Sequence, residues 1–210
     1  MGLRLSKKVL ILFAATAIAV VSGCAGGEDG EVEAKLTCGG LSDLAATAMA
    51  DITGESRFPA SSQADAKVFS ENFSGDVVNG GKDPHVFCEV FNSRGDDFPN
   101  PKIKFTLSSK ADIPPPVEEG LVGESNFPVA LRSVSNSRGA DIYFECRAPW
   151  MKNKDTSTVI RAELDYEKTS RAGLGTLKKN MDLLQHVTHG VAEELECENH
   201  GGIQKRNKPW

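Results

Sequence analysis

Five cysteines, Cys24, Cys38, Cys88, Cys146 and Cys197, restrict this chain more than any other feature. No two of them form a Cys-x-x-Cys pair, and the last four are dispersed over the body of the chain. Cysteine zinc sites and thiol redox sites usually draw their ligands from such close pairs, so the dispersal argues against both. An even number of scattered cysteines reads as crosslinks in an oxidising compartment and as thiols in a reducing one. The compartment therefore decides the reading, and the N-terminal residues bear on it.

Residues Met1 to Lys8 carry three cations, Arg4, Lys7 and Lys8, and no acid. Val9 to Val21 follows, an apolar run of 13 residues broken only by Thr16. That run is too short to cross roughly 30 Å of hydrocarbon as a helix. A cationic start, a short apolar core and small residues after it are the parts of an export signal. The next four residues, Val21-Ser22-Gly23-Cys24, resemble the lipobox of bacterial lipoproteins. The resemblance implies a leader over residues 1–23, cleavage before Cys24 and lipid (palmitate-like chains) on that cysteine. It places the protein on the extracytoplasmic face of the cell membrane, with the membrane itself as a partner through the lipid. Two or more acyl chains give stable anchoring where one is marginal. Residues 24–36 then read as a flexible tether, Gly-rich and acidic, reaching roughly 20 Å.

With Cys24 carrying lipid, Cys38, Cys88, Cys146 and Cys197 form two disulfides. Three connectivities exist. Cys38–Cys88 and Cys146–Cys197 are favoured, because each then joins an expected helix end to an expected strand.

Composition narrows the partners. Removing Arg4, Lys7 and Lys8 with the leader leaves 21 basic against 29 acidic residues, a balance of −8. A nucleic-acid surface needs the opposite sign, so no nucleic acid is expected. With 40% hydrophobic and 25% charged residues, the chain has an ordinary globular composition.

Apolar spacing predicts a helix over Leu41 to Thr53, with Gly54 as its stop. Alternation predicts strands over Lys67 to Phe73, His85 to Phe91, Lys102 to Ser108, Phe127 to Val134, Asp141 to Arg147 and Thr158 to Tyr166. Asn92 to Pro101 makes a long hairpin loop. Pro114-Pro115-Pro116 demands a stiff, extended segment. A final helix runs over Thr176 to Glu196, and residues 201–210 form a basic tail. The expected fold is α+β: an antiparallel sheet of about six strands with two helices, stapled by two disulfides, over residues 37–200. Gly54-Glu55-Ser56-Arg57-Phe58-Pro59 recurs as Gly123-Glu124-Ser125-Asn126-Phe127-Pro128, which leaves open two related halves meeting near 111–122. The body also resembles small actinobacterial envelope lipoproteins of unassigned function. The likeness rests on Cys38-Gly39-Gly40-Leu41 opening a helix, a strand cysteine, and a late helix ending in Cys197. It implies a disulfide-stapled lipoprotein and supplies no activity.

No catalytic residue stands out. There is no Gly-x-Ser-x-Gly elbow, and Gly80-Gly81 lacks the Lys and Ser/Thr of a phosphate loop. Asp96-Asp97 and Glu118-Glu119 are adjacent acids in turn-like contexts. The sharpest cluster is His186-x-x-His189-x-x-x-Glu193 on the last helix, a spacing that brings two imidazoles and a carboxylate together as zinc or copper ligands. The apolar stripe of that helix predicts that all three face solvent. His85 reads as structural. Trp150, beside Lys152 and Lys154, reads either as an interaction anchor or, preferably, as a plug over a sheet edge. The expected role is a non-enzymatic binding or accessory module, for an envelope protein, a wall polymer or a small ligand. The alternative is a metal-binding envelope protein.

Overall fold

The computed structural model describes residues 30–93, 100–118, 123–151, 157–166 and 174–210. The leader, Cys24, residues 25–29 of the tether, Asp96-Asp97, Glu119, Lys152 and Lys154 lie outside the described residues.

Two short strands, β1 (Glu31–Glu33) and β2 (Arg57–Pro59), pair antiparallel, with Val32 opposite Phe58. The last six residues of the expected tether are therefore built into the body, as β1 and a 3-10 turn over Ala34–Leu36. Helix α1 (Asp43–Thr53) lies between the two strands in sequence. The Ser42 hydroxyl accepts the Ala45 N–H at 3.3 Å to open it. Gly54, at φ 75°, closes it in the left-handed conformation that glycine adopts without steric penalty. Ala45, Ala48 and Ile52 are buried, as the spacing predicted; Met49 joins them, and Leu44, which the spacing also placed on this face, is only part-buried.

Residues Ala66–Val78 form helix α2, where alternation predicted a strand over Lys67 to Phe73. The Asp65 carboxylate accepts the N–H groups of Lys67 and Val68, at 2.9 and 3.0 Å, and so caps a helix. A strand would place Glu71 on the same face as Phe69 and Phe73, whereas a helix turns it to the far side. Phe73 is fully buried and stacks on Phe69 with ring centroids 5.6 Å apart. The His85 Nε2 lies 2.9 Å from Asp76 Oδ2, so this imidazole ties the strand it opens to α2.

The main sheet is built from β3 (His85–Glu89), β4 (Lys102–Ser108), β5 (Glu124–Asn126), β6 (Arg132–Asn136), β7 (Gly139–Cys146) and β8 (Thr158–Asp165). Its order is β3-β4-β8-β7-β6-β5, antiparallel throughout. The six-stranded antiparallel sheet matches expectation, but its membership differs. The Lys67–Phe73 segment drops out, and the single strand expected over Phe127 to Val134 is replaced by β5 and β6. The stiff segment through Pro114-Pro115-Pro116 runs beside this end of the sheet: the Arg132 guanidinium donates to Pro115 O at 3.2 Å, and Asn126 exchanges two hydrogen bonds with Val117.

On one face of the sheet Ile103, Phe105, Ile142, Phe144, Ile160, Ala162 and Leu164 are all buried. Helix α3 (Leu174–Glu194) packs on that face, and α1 packs on α3 rather than on the sheet. The α+β body thus holds three α-helices among the described residues, not two, and α3 is its central element. The opposite face carries cross-strand ion pairs, Arg161–Asp141 at 2.7 Å and Lys104–Asp165 at 3.1 Å.

Two disulfides staple the body, Cys38–Cys88 and Cys146–Cys197, with sequence separations of 50 and 51. This is the favoured pairing. The first ties the approach to α1 to β3, and the second ties β7 to the end of α3. Both fit an extracytoplasmic, oxidising setting. No described helix is long and apolar enough to cross a membrane. Residues 201–210, expected as a tail, fold back on the body: Ile203 is buried, and Trp210 packs edge-on against Phe127 with centroids 5.2 Å apart.

Candidate functional site

Helix α3 carries the residues singled out from sequence, but its position changes their meaning. Sheet on one side and α1 on the other bury it nearly all round. Asn180, Asp182, Gln185, Thr188 and His189 are buried along with its apolar residues. Most of these polar groups find partners: Asn180 accepts from the Tyr166 hydroxyl at 2.9 Å, and Gln185 donates to Gln204 O at 2.8 Å. Buried Asp182 has its carboxyl raised above the usual range, chiefly by desolvation and despite the Trp210 backbone N–H.

His186 does not face solvent. Its Nε2 accepts the backbone N–H of Ser42 at 3.1 Å, at the start of α1. The same nitrogen lies 3.3 Å from Gly40 O, a contact that forms a hydrogen bond only when Nε2 carries a proton. Burial lowers the affinity of this imidazole for a proton, with Lys205 acting in the same direction and Gly40 O against it. The neutral ring accepting from Ser42 is therefore the form that the fold favours. Through Nε2, His186 joins α3 to the start of α1.

His189 is 9% exposed. Its Nε2 lies 3.1 Å from Nδ1 of His200, with the two rings nearly perpendicular. Its other nitrogen, Nδ1, lies 4.0 Å from Glu193 Oε2. Burial lowers its proton affinity first, then His200 does, while Glu193 opposes both. The structure thus brings together His189, Glu193 and His200, and leaves His186 out. Among the described residues no three His, Cys, Asp or Glu side chains form a group placed to hold a metal ion.

His200 reaches His189 because the chain after α3 makes a left-handed turn. Asn199, His200, Gly201 and Gly202 have φ of 50°, 49°, 65° and 78°. Glycine, asparagine and histidine are among the residues found most often in this region. The Cys146–Cys197 bridge roots the turn, and Glu198 N–H donates to Arg147 O at 2.9 Å. A Cβ at Gly201 would stand 2.5 Å from Phe144 Cδ2, so only glycine lets the turn close on the core. Nothing in the periodicity of the helix signals this turn; the Gly201-Gly202 pair after Cys197 was its one trace.

The outer side of the turn borders a cleft of about 500 Å³, lined among others by Leu131, Glu145, Arg147, Ser157 and Glu198. Its charges are internally paired. Arg147 meets Glu198 at 3.3 Å, and Glu145 accepts from Ser157 and meets Lys110 at 3.1 Å. The Ser157 and Lys110 hydrogen bonds hold the Glu145 carboxyl below the usual carboxylate range. A carboxylate so stabilised is a weak base and a poor proton donor at neutral pH. The cleft is chemically suited to hydrogen-bonding a polar ligand. Trp150 donates its Nε1–H to Leu195 O at 2.7 Å and is part-buried against the core, a plug over the end of α3 rather than over a sheet edge.

Comparison with family models, with curated proteins and with solved structures finds no match.

Proposed function

We propose that this chain is an exported lipoprotein, cleaved before Cys24, held by lipid on the extracytoplasmic face of the cell membrane, and acting as a binding module rather than an enzyme. The observation that carries the reading is the closeness of the stapled body to the lipidation motif. Strand β1 opens at Glu31, so residues 25–30 alone separate Cys24 from the first paired strand. Even fully extended, they reach only about 20 Å. A body so short of slack works at the lipid surface. Two disulfides support the oxidising compartment that this location requires. The polar cleft, with its charges already paired, supports recognition of a polar ligand, such as a wall polymer or an envelope protein, over acid–base chemistry.

Mass spectrometry of the native protein after growth on a tagged fatty acid tests the anchor. The mature chain should begin at Cys24, carry acyl chains and partition with membranes, and Cys24→Ala should abolish the label. A native chain that still begins at Met1, or an unmodified thiol at position 24, would refute the proposal.

A further inference from the structure

We infer that His189 and His200 form a two-imidazole site for a borderline divalent ion, Cu²⁺ in preference to Zn²⁺, independent of the anchoring proposal. Two imidazole nitrogens bound at about 2.05 Å to one ion lie about 2.9 Å apart when cis on a square-planar Cu²⁺ and about 3.3 Å apart on a tetrahedral Zn²⁺. His189 Nε2 and His200 Nδ1 are 3.1 Å apart. The contact is also a hydrogen-bond distance, so a bound ion replaces the proton between the two nitrogens, and both rings turn a lone pair toward it.

Orientation supplies the second step. A metal-bound imidazole commonly directs its other N–H at a carboxylate, which fixes the tautomer and raises the basicity of the ligating nitrogen. Glu193 Oε2 stands 4.0 Å from Nδ1 of His189, on the side away from His200. At 4.0 Å Glu193 is beyond hydrogen-bond distance of Nδ1 and becomes an orienting group on turning toward it; it is not placed as a third ligand, in keeping with the absence of any three-residue group among the described residues. Access is the third step: His200 and Glu193 are exposed, while His189 forms the buried wall. Water or a donor from another molecule completes the coordination. The left-handed turn, with His200 at φ 49°, is what brings this imidazole to His189. Imidazole ligation and the general order of divalent affinities favour Cu²⁺ over Zn²⁺.

Calorimetric titration of the full chain in detergent, carrying Cys24→Ala so that no free thiol competes, tests the inference. One Cu²⁺ per chain should bind at micromolar Kd, with Zn²⁺ weaker. His200→Asn keeps a residue that tolerates the left-handed backbone, and it should weaken Cu²⁺ at least tenfold, as should His189→Gln. His186→Gln should stay within twofold. A Zn²⁺ titration of the unmutated histidines followed by NMR reads the same site without relying on any variant's folding. The His189 and His200 ring signals should shift saturably, and those of His85 should not move. Absence of saturable binding, full affinity in His200→Asn, or shifts that spare His189 and His200 would overturn the site.

Discussion

Adding one methyl group at Gly201 should loosen the protein far more than adding one at its neighbour Gly202. Both glycines have positive φ, 65° and 78°, so alanine at either meets the same backbone penalty of about 1 kcal/mol. Their surroundings differ. A Cβ at Gly202 meets nothing nearer than Ala130 Cα at 3.9 Å, an ordinary contact. A Cβ at Gly201 meets Phe144 Cδ2 at 2.5 Å and Glu145 O at 3.2 Å. Phe144 is fully buried in the sheet face under α3 and cannot swing aside. Overpacking of that kind adds about 1–3 kcal/mol. Gly202→Ala should therefore destabilise by about 1 kcal/mol and Gly201→Ala by about 2–4 kcal/mol. Urea unfolding of the two variants, read by circular dichroism with a common m-value, measures both. Equal losses, or a larger loss at Gly202, would show that the turn does not press on Phe144 as described.

Three further outcomes are expected. Replacing Cys38 and Cys88, or Cys146 and Cys197, by alanine opens loops of 50 and 51 residues and should destabilise by about 4 kcal/mol in each case, measured by chemical denaturation. Burial holds His186 below its ordinary value near 6.5, so the unfolded chain takes up that proton first as pH falls. The contribution is complete above about pH 7 and declines below about 6.5, until the folded imidazole also protonates. The urea midpoint of the unsubstituted chain should thus drop between pH 7.5 and 5.5 by more than that of His186→Gln, and parallel curves would reject the assignment. Asp65→Ala removes the acceptor for two N–H groups at the start of α2 and should destabilise by about 1 kcal/mol in thermal unfolding; no change would argue that this cap is not formed.

The parts of this fold that were readable from sequence are those whose local pattern and tertiary setting agree. Lys102 to Ser108 alternates cleanly because one face of β4 meets the helices and the other meets charged neighbours. Leu41 to Thr53 has a one-sided apolar stripe and a glycine stop, and it packs on one partner. The disulfide pairing followed from where helix ends and strands were expected. The failures share a cause. In residues 67–73, Phe69 and Phe73 share a face in a strand and in a helix alike, and the deciding signals, Asp65 as cap and Val77 one turn on, lie outside that window. In α3 the apolar stripe was read as the only buried side. Leu183 and Val187 lie off that stripe and are buried too, because α1 covers what the sheet does not. That second cover draws His186 inward to Ser42. The sequence leaves room for His200 to fold back onto the helix but does not require it, since its contact with His189 depends on a left-handed turn with no periodic signature.

The two bridges join the body's four cysteines in order of appearance, Cys38 with Cys88 and then Cys146 with Cys197. An oxidant meeting the chain N-terminus first would make each native bond as soon as its second sulfur emerged, and no reshuffling would follow. The one competitor in that sequence is Cys24, which precedes Cys38 and as a thiol could capture it. Acylation at Cys24, as proposed, would retire that sulfur before it could mispair, so the modification that fixes the address would also guard the crosslinks.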